Sequence, residues 1–238
     1  MHNINQNQIK DFYNNIDKIW DENDAWHQYS NKAISHYLKS KRDVLKNTVI
    51  LNAGSAGNSY GIACRQMFHV DIADKKIQGL ENSVVASIEN LPFENNSFDN
   101  IICVGSVLNY CDAVAAISEL YRVLKDNGNL IIEFESSWGF EYLGQQVYKK
   151  EASIITTEYI EEKHTQWLYS HKYIYSILKS YDFQIIDKQT FHIIDGLLSK
   201  VFVDKMAVSL NFIDKIIKEI PLLNQHGNNV ILHCLKKS

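Results

Sequence analysis

The stretch Val49-Ile50-Leu51-Asn52-Ala53-Gly54-Ser55-Ala56-Gly57-Asn58-Ser59-Tyr60-Gly61 restricts what this chain can fold into more than any other segment. It reads as a buried strand that runs into a tight glycine turn and then into a helix at 58–65. The next apolar run, Met67-Phe68-His69-Val70, ends at Asp71. A strand, a glycine turn and an acid about 20 residues on form the frame with which open α/β sheets hold a nucleoside. Small residues admit the ligand to the backbone, and the carboxylate accepts both ribose hydroxyl protons. Gly54, Gly57 and Gly61 are spaced G-x-x-G-x-x-x-G. That departs from the G-x-G-x-x-G of dinucleotide enzymes, where a helix N-terminus meets a pyrophosphate. The loop also lacks the Gly-Lys-Ser/Thr of a P-loop. A ligand without phosphate is favoured.

Around this segment, strand and helix patterns alternate. Strands are expected at 47–53, 67–71, 84–87, 99–104 and 129–135, and helices at 58–65, 73–80 and 113–124. Repeated βα units imply a parallel sheet covered on both faces. Two helices precede it, at 8–20 and 25–40, with Asn23-Asp24 placed to cap the second. After Ser136 the rhythm changes. Residues 139–165 are polar-aromatic and read as helical. A helix at 171–180, a strand at 183–186, a helix at 204–219 and a closing strand at 230–235 follow, the two strands pairing at one sheet edge.

Bulk properties exclude several classes. The 238 residues are 45% hydrophobic, enough to bury one core. Net charge is −4 and the Lys-Lys pairs are scattered, so no nucleic-acid partner is expected. Cys64, Cys103, Cys111 and Cys234 show no Cys-x-x-Cys and no zinc spacing, and no metal is expected. His2 to Gln8 is polar, unlike a signal peptide, and no apolar run reaches membrane-spanning length. A cytoplasmic protein is expected. Nothing in the sequence bears on oligomeric state.

Two further segments narrow the ligand. Residues 89–99 read Glu-Asn-Leu-Pro-Phe-Glu-Asn-Asn-Ser-Phe-Asp, and residues 119–132 read Glu-Leu-Tyr-Arg-Val-Leu-Lys-Asp-Asn-Gly-Asn-Leu-Ile-Ile. With the glycine loop and Val70-Asp71-Ile72, residues 45–136 resemble the class I S-adenosylmethionine-dependent methyltransferases. The nearest group is the small-molecule set that includes the ubiquinone/menaquinone biosynthesis methyltransferases. The resemblance implies an α/β, Rossmann-like fold: a seven-stranded, mostly parallel sheet with an antiparallel last strand, helices on both faces and a helical N-terminal lid. It implies one methyltransferase domain over 1–238, with a lid at 1–44, a cofactor-binding core at 45–136, a lid insert at 137–170 and the C-terminal part of the sheet at 171–238.

The resemblance also implies S-adenosyl-L-methionine as cofactor, S-adenosyl-L-homocysteine as its product, and roles for particular residues. Asn52, Ala53, Gly54, Ser55 and Asn58 would wrap the methionine part, Gly54 closest. Asp71 would hold the ribose and Ile72 would pack on the adenine, with Ser87, Ile88 and Glu89 lining the adenine pocket. Val104, Gly105 and Ser106 would end the fourth strand beside the sulfonium, and Tyr13 would reach the cofactor carboxylate. The chain departs from the pattern at Asn52, where relatives carry an acid, at Ala56 and Asn58, where they carry glycine, and at Ser87, where an aspartate is common. These changes remove carboxylate contacts and keep the backbone ones.

Methyl transfer from a sulfonium is an in-line displacement that needs alignment and exclusion of water. An oxygen nucleophile needs a base, whereas a neutral amine needs orientation and a place for its proton. The acceptor is expected to be a small molecule, such as a specialised metabolite or modified peptide, methylated on N or O. His27, His164, His171 and His192 are the base candidates, with His27 and His164 preferred for their place in the lid segments, and Glu135 is placed to orient an amine. Trp20, Trp26, Tyr29, Tyr110, Tyr142 and Tyr159 are the substrate-binding candidates. Glu158, Glu161 and Glu162 raise the case for a cationic or amine acceptor. The alternatives are an S-adenosylmethionine-binding, non-catalytic partner subunit, motivated by Asn52 and Ser87, and a nicotinamide-dependent oxidoreductase.

Overall fold

The computed structural model describes residues 4–160, 162–198 and 220–238. Its main sheet has seven strands in the order β3-β2-β1-β4-β5-β9-β8. These are β1 (Val49–Ala53), β2 (Gln66–Asp71), β3 (Ser83–Val85), β4 (Phe98–Cys103), β5 (Leu124–Glu135), β8 (Phe183–Phe191) and β9 (Asn229–Lys236). The pairs among β1 to β5 are parallel. The last strand, β9, runs against both of its neighbours, β5 and β8. The mostly parallel sheet with an antiparallel last strand is therefore as the resemblance implies, and the late strands do pair at one edge.

The central strands are buried on both faces, which is why they read as continuous apolar runs rather than alternating ones. Successive residues still divide between two cores. Leu51, Ile101, Leu130 and Ile132 face helices α5 (Ala113–Val123) and α6 (His171–Ser180) through Ile117, Leu120, Ile174 and Leu178. Ile50, Ile102 and Ile131 face Ile34, Tyr37 and Leu38 of α2 (Ala25–Ser40). Asp24 caps α2 by accepting from the His27 amide at 3.0 Å, and Asp112 caps α5 by accepting from Val114 and Ala115. The remaining helices are short: α1 (Gln6–Asn15), α3 (Arg42–Leu45), α4 (Asp74–Ile77), α7 (Ile194–Leu198) and α8 (Pro221–Asn224). Among the described residues no helix is long and apolar enough to cross a membrane.

Several expected elements differ. The first helix stops at Asn15, because Ile16 is extended (φ −77°, ψ 140°), and residues 17–20 then line the cavity at the carboxyl ends of the strands. No helix forms at 58–65. Ala56, Gly57, Tyr60 and Gly61 all have positive φ, and Asn58 folds back so that its side-chain oxygen accepts from the Tyr60 amide at 2.9 Å. Left-handed residues at this density cannot propagate a right-handed helix. The helix expected at 73–80 shrinks to α4 and is followed by Gly79 at φ +80°. Residues 139–165 are mainly not helical. They hold a short 3-10 turn at Phe140–Tyr142 and most of a hairpin, β6 (Ala152–Tyr159) with β7 (Glu162–Tyr169). The helix expected at 204–219 and Glu161 lie outside the described residues.

Candidate active site

The carboxyl ends of β1, β2 and β4 open into a cavity of about 420 Å³. A crevice beyond the strand ends is where open α/β sheets bind ligands. Gly54, Ser55 and Asn58 lie on its wall, as do Asp71 and Ile72 at the end of β2, Ser87 and Ile88 after β3, and Val104 and Gly105 after β4. Tyr13 of α1 and Trp20 close it from the other side.

Gly54 sits at φ +70°, and a Cβ there would stand 2.4 Å from both γ-carbons of Val107. Only glycine lets the chain turn this close to the 3-10 turn at Val107–Tyr110. Gly54→Ala is expected to destabilise the fold by about 1–3 kcal/mol through backbone strain alone, with the Val107 clash added to it. A thermal melt of the variant checks this, and an unchanged midpoint would mean that the turn is differently built.

Asp71 is 9% exposed. One of its oxygens accepts from the Ala56 amide and the other from the Ala73 amide, both at 2.8 Å. Burial pushes its carboxyl up, against the pull of these N–H groups. Each oxygen keeps lone-pair capacity for a further donor in the cavity. The same side chain thus holds the glycine loop and faces the ligand space.

Four residues proposed for the cofactor side do not line this cavity. Asn52 is 1% exposed, and its amide donates to the Asn58 carbonyl at 2.7 Å; it braces the loop from behind. Ala53 points into the core. Glu89 accepts from the Gln6 amide at 2.6 Å and from the Asp112 backbone at 2.5 Å, which ties α1 to the start of α5. Ser106 belongs to the neighbouring chamber.

That chamber begins where Tyr13, Trp20, Gly105 and Tyr110 serve both spaces. It is about 70 Å³, walled by Trp26, His27, Glu133, Glu135, Tyr159 and His164. An outer recess of about 200 Å³ shares Trp26, His27, Glu135 and Tyr159 and adds Asp24, Glu141 and Tyr142. The structure therefore brings His27, His164 and Glu135 together with Trp20, Trp26, Tyr110, Tyr142 and Tyr159. Tyr29 is not among them. It packs edge-on against Phe191 and His192, with ring centroids 6.4 and 4.9 Å away, on the α2 side of the sheet.

His27 Nδ1 lies 2.5 Å from Asp24 Oδ2. His164 Nε2 is 2.8 Å from the Tyr110 hydroxyl, which in turn accepts from the Tyr13 hydroxyl at 3.3 Å. Burial holds His164 below the ordinary histidine range. Burial also pushes Glu135 up, while Gln166 donates to it at 2.7 Å.

Two features were missed in the sequence. Glu133 is fully buried and accepts from the Gly105 amide (2.8 Å), the Ser106 amide (2.7 Å) and the Asn229 side chain (2.7 Å). It fixes the turn after β4, and burial pushes it up to about 7. Its signal was an acid inside an apolar strand, on the same face as Glu135. The second feature is the buried network around His192, itself one of the base candidates, which bonds Asp195 at 2.5 Å and Ser30 at 2.8 Å. The His192 ring stacks on Trp26 at 3.7 Å. Ser30 Oγ also donates to the Trp26 carbonyl, and Ser30 shares a chamber wall with Glu133 and Glu135. The network is a brace for Trp26, and no sequence pattern links residues so far apart.

Residues 51–132 match the family described as "Methyltransferase domain". An uncharacterised protein of Methanocaldococcus jannaschii is 26% identical over 148 residues, covering 59% of this chain and 57% of that one. A ubiquinone/menaquinone biosynthesis C-methyltransferase of Shewanella piezotolerans is 44% identical over 61 residues, covering 26% of this chain and 24% of that one. The chain thus spans little over half of the first relative and about a quarter of the second. The structure of 1,6-didemethyltoxoflavin-N1-methyltransferase from Burkholderia thailandensis, with bound 1,6-didemethyltoxoflavin and S-adenosylhomocysteine, superposes with a TM-score of 0.55 at 11% identity, over 98% of this chain and 87% of that one. The family match covers residues 51–132, and the seven-stranded sheet extends beyond them with the antiparallel last strand that the resemblance implies.

Proposed function

We propose that this protein transfers a methyl group from S-adenosyl-L-methionine to nitrogen or oxygen of a small molecule. The observation that carries the reading is the junction at Tyr13, Trp20, Gly105 and Tyr110, where the cavity holding Asp71 opens into the aromatic chamber. The cavity fits the cofactor's parts. Asp71 faces it with acceptor capacity for ribose hydroxyls, Ile72 and Ile88 offer apolar faces to the adenine, and Gly54 and Ser55 bring backbone close to the methionine part. When bound, the cofactor supplies an electrophilic methyl on a sulfonium.

The chain's residues do the rest. Trp20, Tyr110 and Tyr13 exclude water from the junction, which leaves the reacting groups in a low-dielectric space. For an oxygen acceptor, Asp24 engages Nδ1 of His27 and leaves Nε2 to take the acceptor's proton. The protein would act in the cytoplasm, where its four free cysteines stay reduced.

A thermal-shift comparison of S-adenosylhomocysteine with NAD tests the reading. A ligand at about 100 times its dissociation constant adds roughly 2.7 kcal/mol, so S-adenosylhomocysteine is expected to raise the melting temperature and NAD is not. Stabilisation by NAD alone would overturn the proposal.

A further inference from the structure

We infer that the acceptor is an amine that enters as a cation and is held by Glu135 inside an acidic, aromatic chamber; this rests on the methyl-transfer reading above. Five carboxylates wall the chamber and its outer recess: Glu133, Glu135 and Glu158, joined on the outer side by Asp24 and Glu141. Among the described residues that line them there is no lysine and no arginine.

The carboxylates are not equivalent. Glu133 is saturated by its three donors, Asp24 is paired with His27, Glu141 accepts from the Asn228 side chain, and Glu158 is exposed, opposite Lys163 in the hairpin register. Glu135 takes its hydrogen bonds from neutral donors, Gln166 at 2.7 Å with the Ser106 and Tyr142 side chains beside it, while His27 and His192 act on it only through space. It is the acid that a positive ligand would complete. Coulomb attraction at such a buried site far exceeds its value in water. The rings of Trp26, Tyr142 and Tyr159 add the quadrupole faces that favour an ammonium over its neutral isostere. A phenolate or carboxylate acceptor would meet uncompensated repulsion at the same wall.

The chemistry balances. The ammonium gives one proton to the Glu135 carboxylate and exposes its lone pair. The N–C bond forms as the S–C bond breaks, and that bond's electron pair stays on sulfur, which leaves as a thioether. The methylated product carries the positive charge, and Glu135 returns its proton to water on release.

Calorimetric titration with benzylamine, benzyl alcohol and benzoate, with and without S-adenosylhomocysteine, separates the possibilities. Benzylamine is expected to bind at least about tenfold tighter than benzyl alcohol, and benzoate least. Glu135→Gln is expected to remove most of that preference and leave the affinity for S-adenosylhomocysteine unchanged, which also reports that the variant is folded. Equal or tighter binding of benzyl alcohol or benzoate, a preference that survives Glu135→Gln, or no binding of benzylamine would overturn the amine assignment while S-adenosylhomocysteine binding stands. Loss of S-adenosylhomocysteine binding with the cation preference intact would instead remove methyl transfer, and with it the acceptor role.

Discussion

Glu133→Ala is expected to destabilise the protein by about 3–5 kcal/mol, the scale of breaking a buried charged network from one side. The loss comes from the donors left behind. The amides of Gly105 and Ser106 and the side chain of Asn229 all point at a carboxylate that alanine does not replace. Glu133→Gln should be far milder. Its amide oxygen can keep the two backbone donors, and its NH₂ can meet Asn229 turned to offer its own oxygen. The pair of variants also isolates a pH effect. The folded carboxyl is pushed up to about 7 by burial, above the ordinary glutamate value of about 4.3. A carboxyl raised on folding contributes stability that is fully present below its unfolded pKa and is lost as pH rises through the folded one. Glu133 should therefore cost the wild type about 3 kcal/mol between pH 4.5 and 8, a cost that Glu133→Gln does not carry. Urea denaturation of both proteins at the two pH values gives the difference directly. Buried histidines such as His164 act in the opposite direction and cancel between wild type and variant. An unchanged gap between the two proteins would place the titrating group elsewhere.

Asp71→Ala is expected to weaken S-adenosylhomocysteine binding by about 1.5–3 kcal/mol, roughly 10- to 150-fold, the worth of charge-assisted hydrogen bonds to a carboxylate. The structure adds a second cost that sequence did not foresee. Asp71 also receives the Ala56 and Ala73 amides, so its removal loosens the loop that carries Gly54 and Ser55. Asp71→Asn separates the two effects, since one amide oxygen can still serve one of those donors. Calorimetry of the ligand, alongside thermal melts of the unliganded variants, reads binding and loop support independently. A folded Asp71→Ala protein with unchanged affinity would refute the ribose assignment.

The parallel strands were legible because burial on both faces writes them as unbroken apolar runs between turn residues, as at Val49–Ala53 and Ile101–Cys103. The hairpin at 152–169 was not. Its inward positions include His164 and Gln166, both 3% exposed, while Ile154 and Ile155 stay half-exposed. A strand that lines a polar chamber inverts the usual in-out polarity, and an alternation rule applied to hydrophobicity cannot find it. The site showed the same division. Gly54, Asp71 and Ile72 follow from local chain geometry, and all three line the cavity. Asn52 lies off the cavity wall because its side chain is spent on the Asn58 carbonyl, a contact set by the irregular loop that stands where a helix was expected. Glu133 was passed over because an acid in a strand usually faces water, and its three donors come from segments far along the chain.

The hairpin takes its ladder hydrogen bonds from itself, and is tied to the rest of the protein by the Ser136–Tyr169 bridge, the Gln166–Glu135 bond, the Asn109 amide on the Trp167 carbonyl and the packing of Tyr169 on the core. A two-stranded ribbon of this kind is marginal in isolation, so its opening free energy lies below that of the seven-stranded core. The chamber proposed for the acceptor is therefore bounded on one side by a segment that costs less to displace than the seven-stranded sheet. A bulky product could depart by fraying Tyr159 and His164 outward, while the strands that carry Asp71 and Gly105 stay closed. Residence time on the acceptor side and resistance to global unfolding would then be set by different barriers, and selection could tune the first without spending the second.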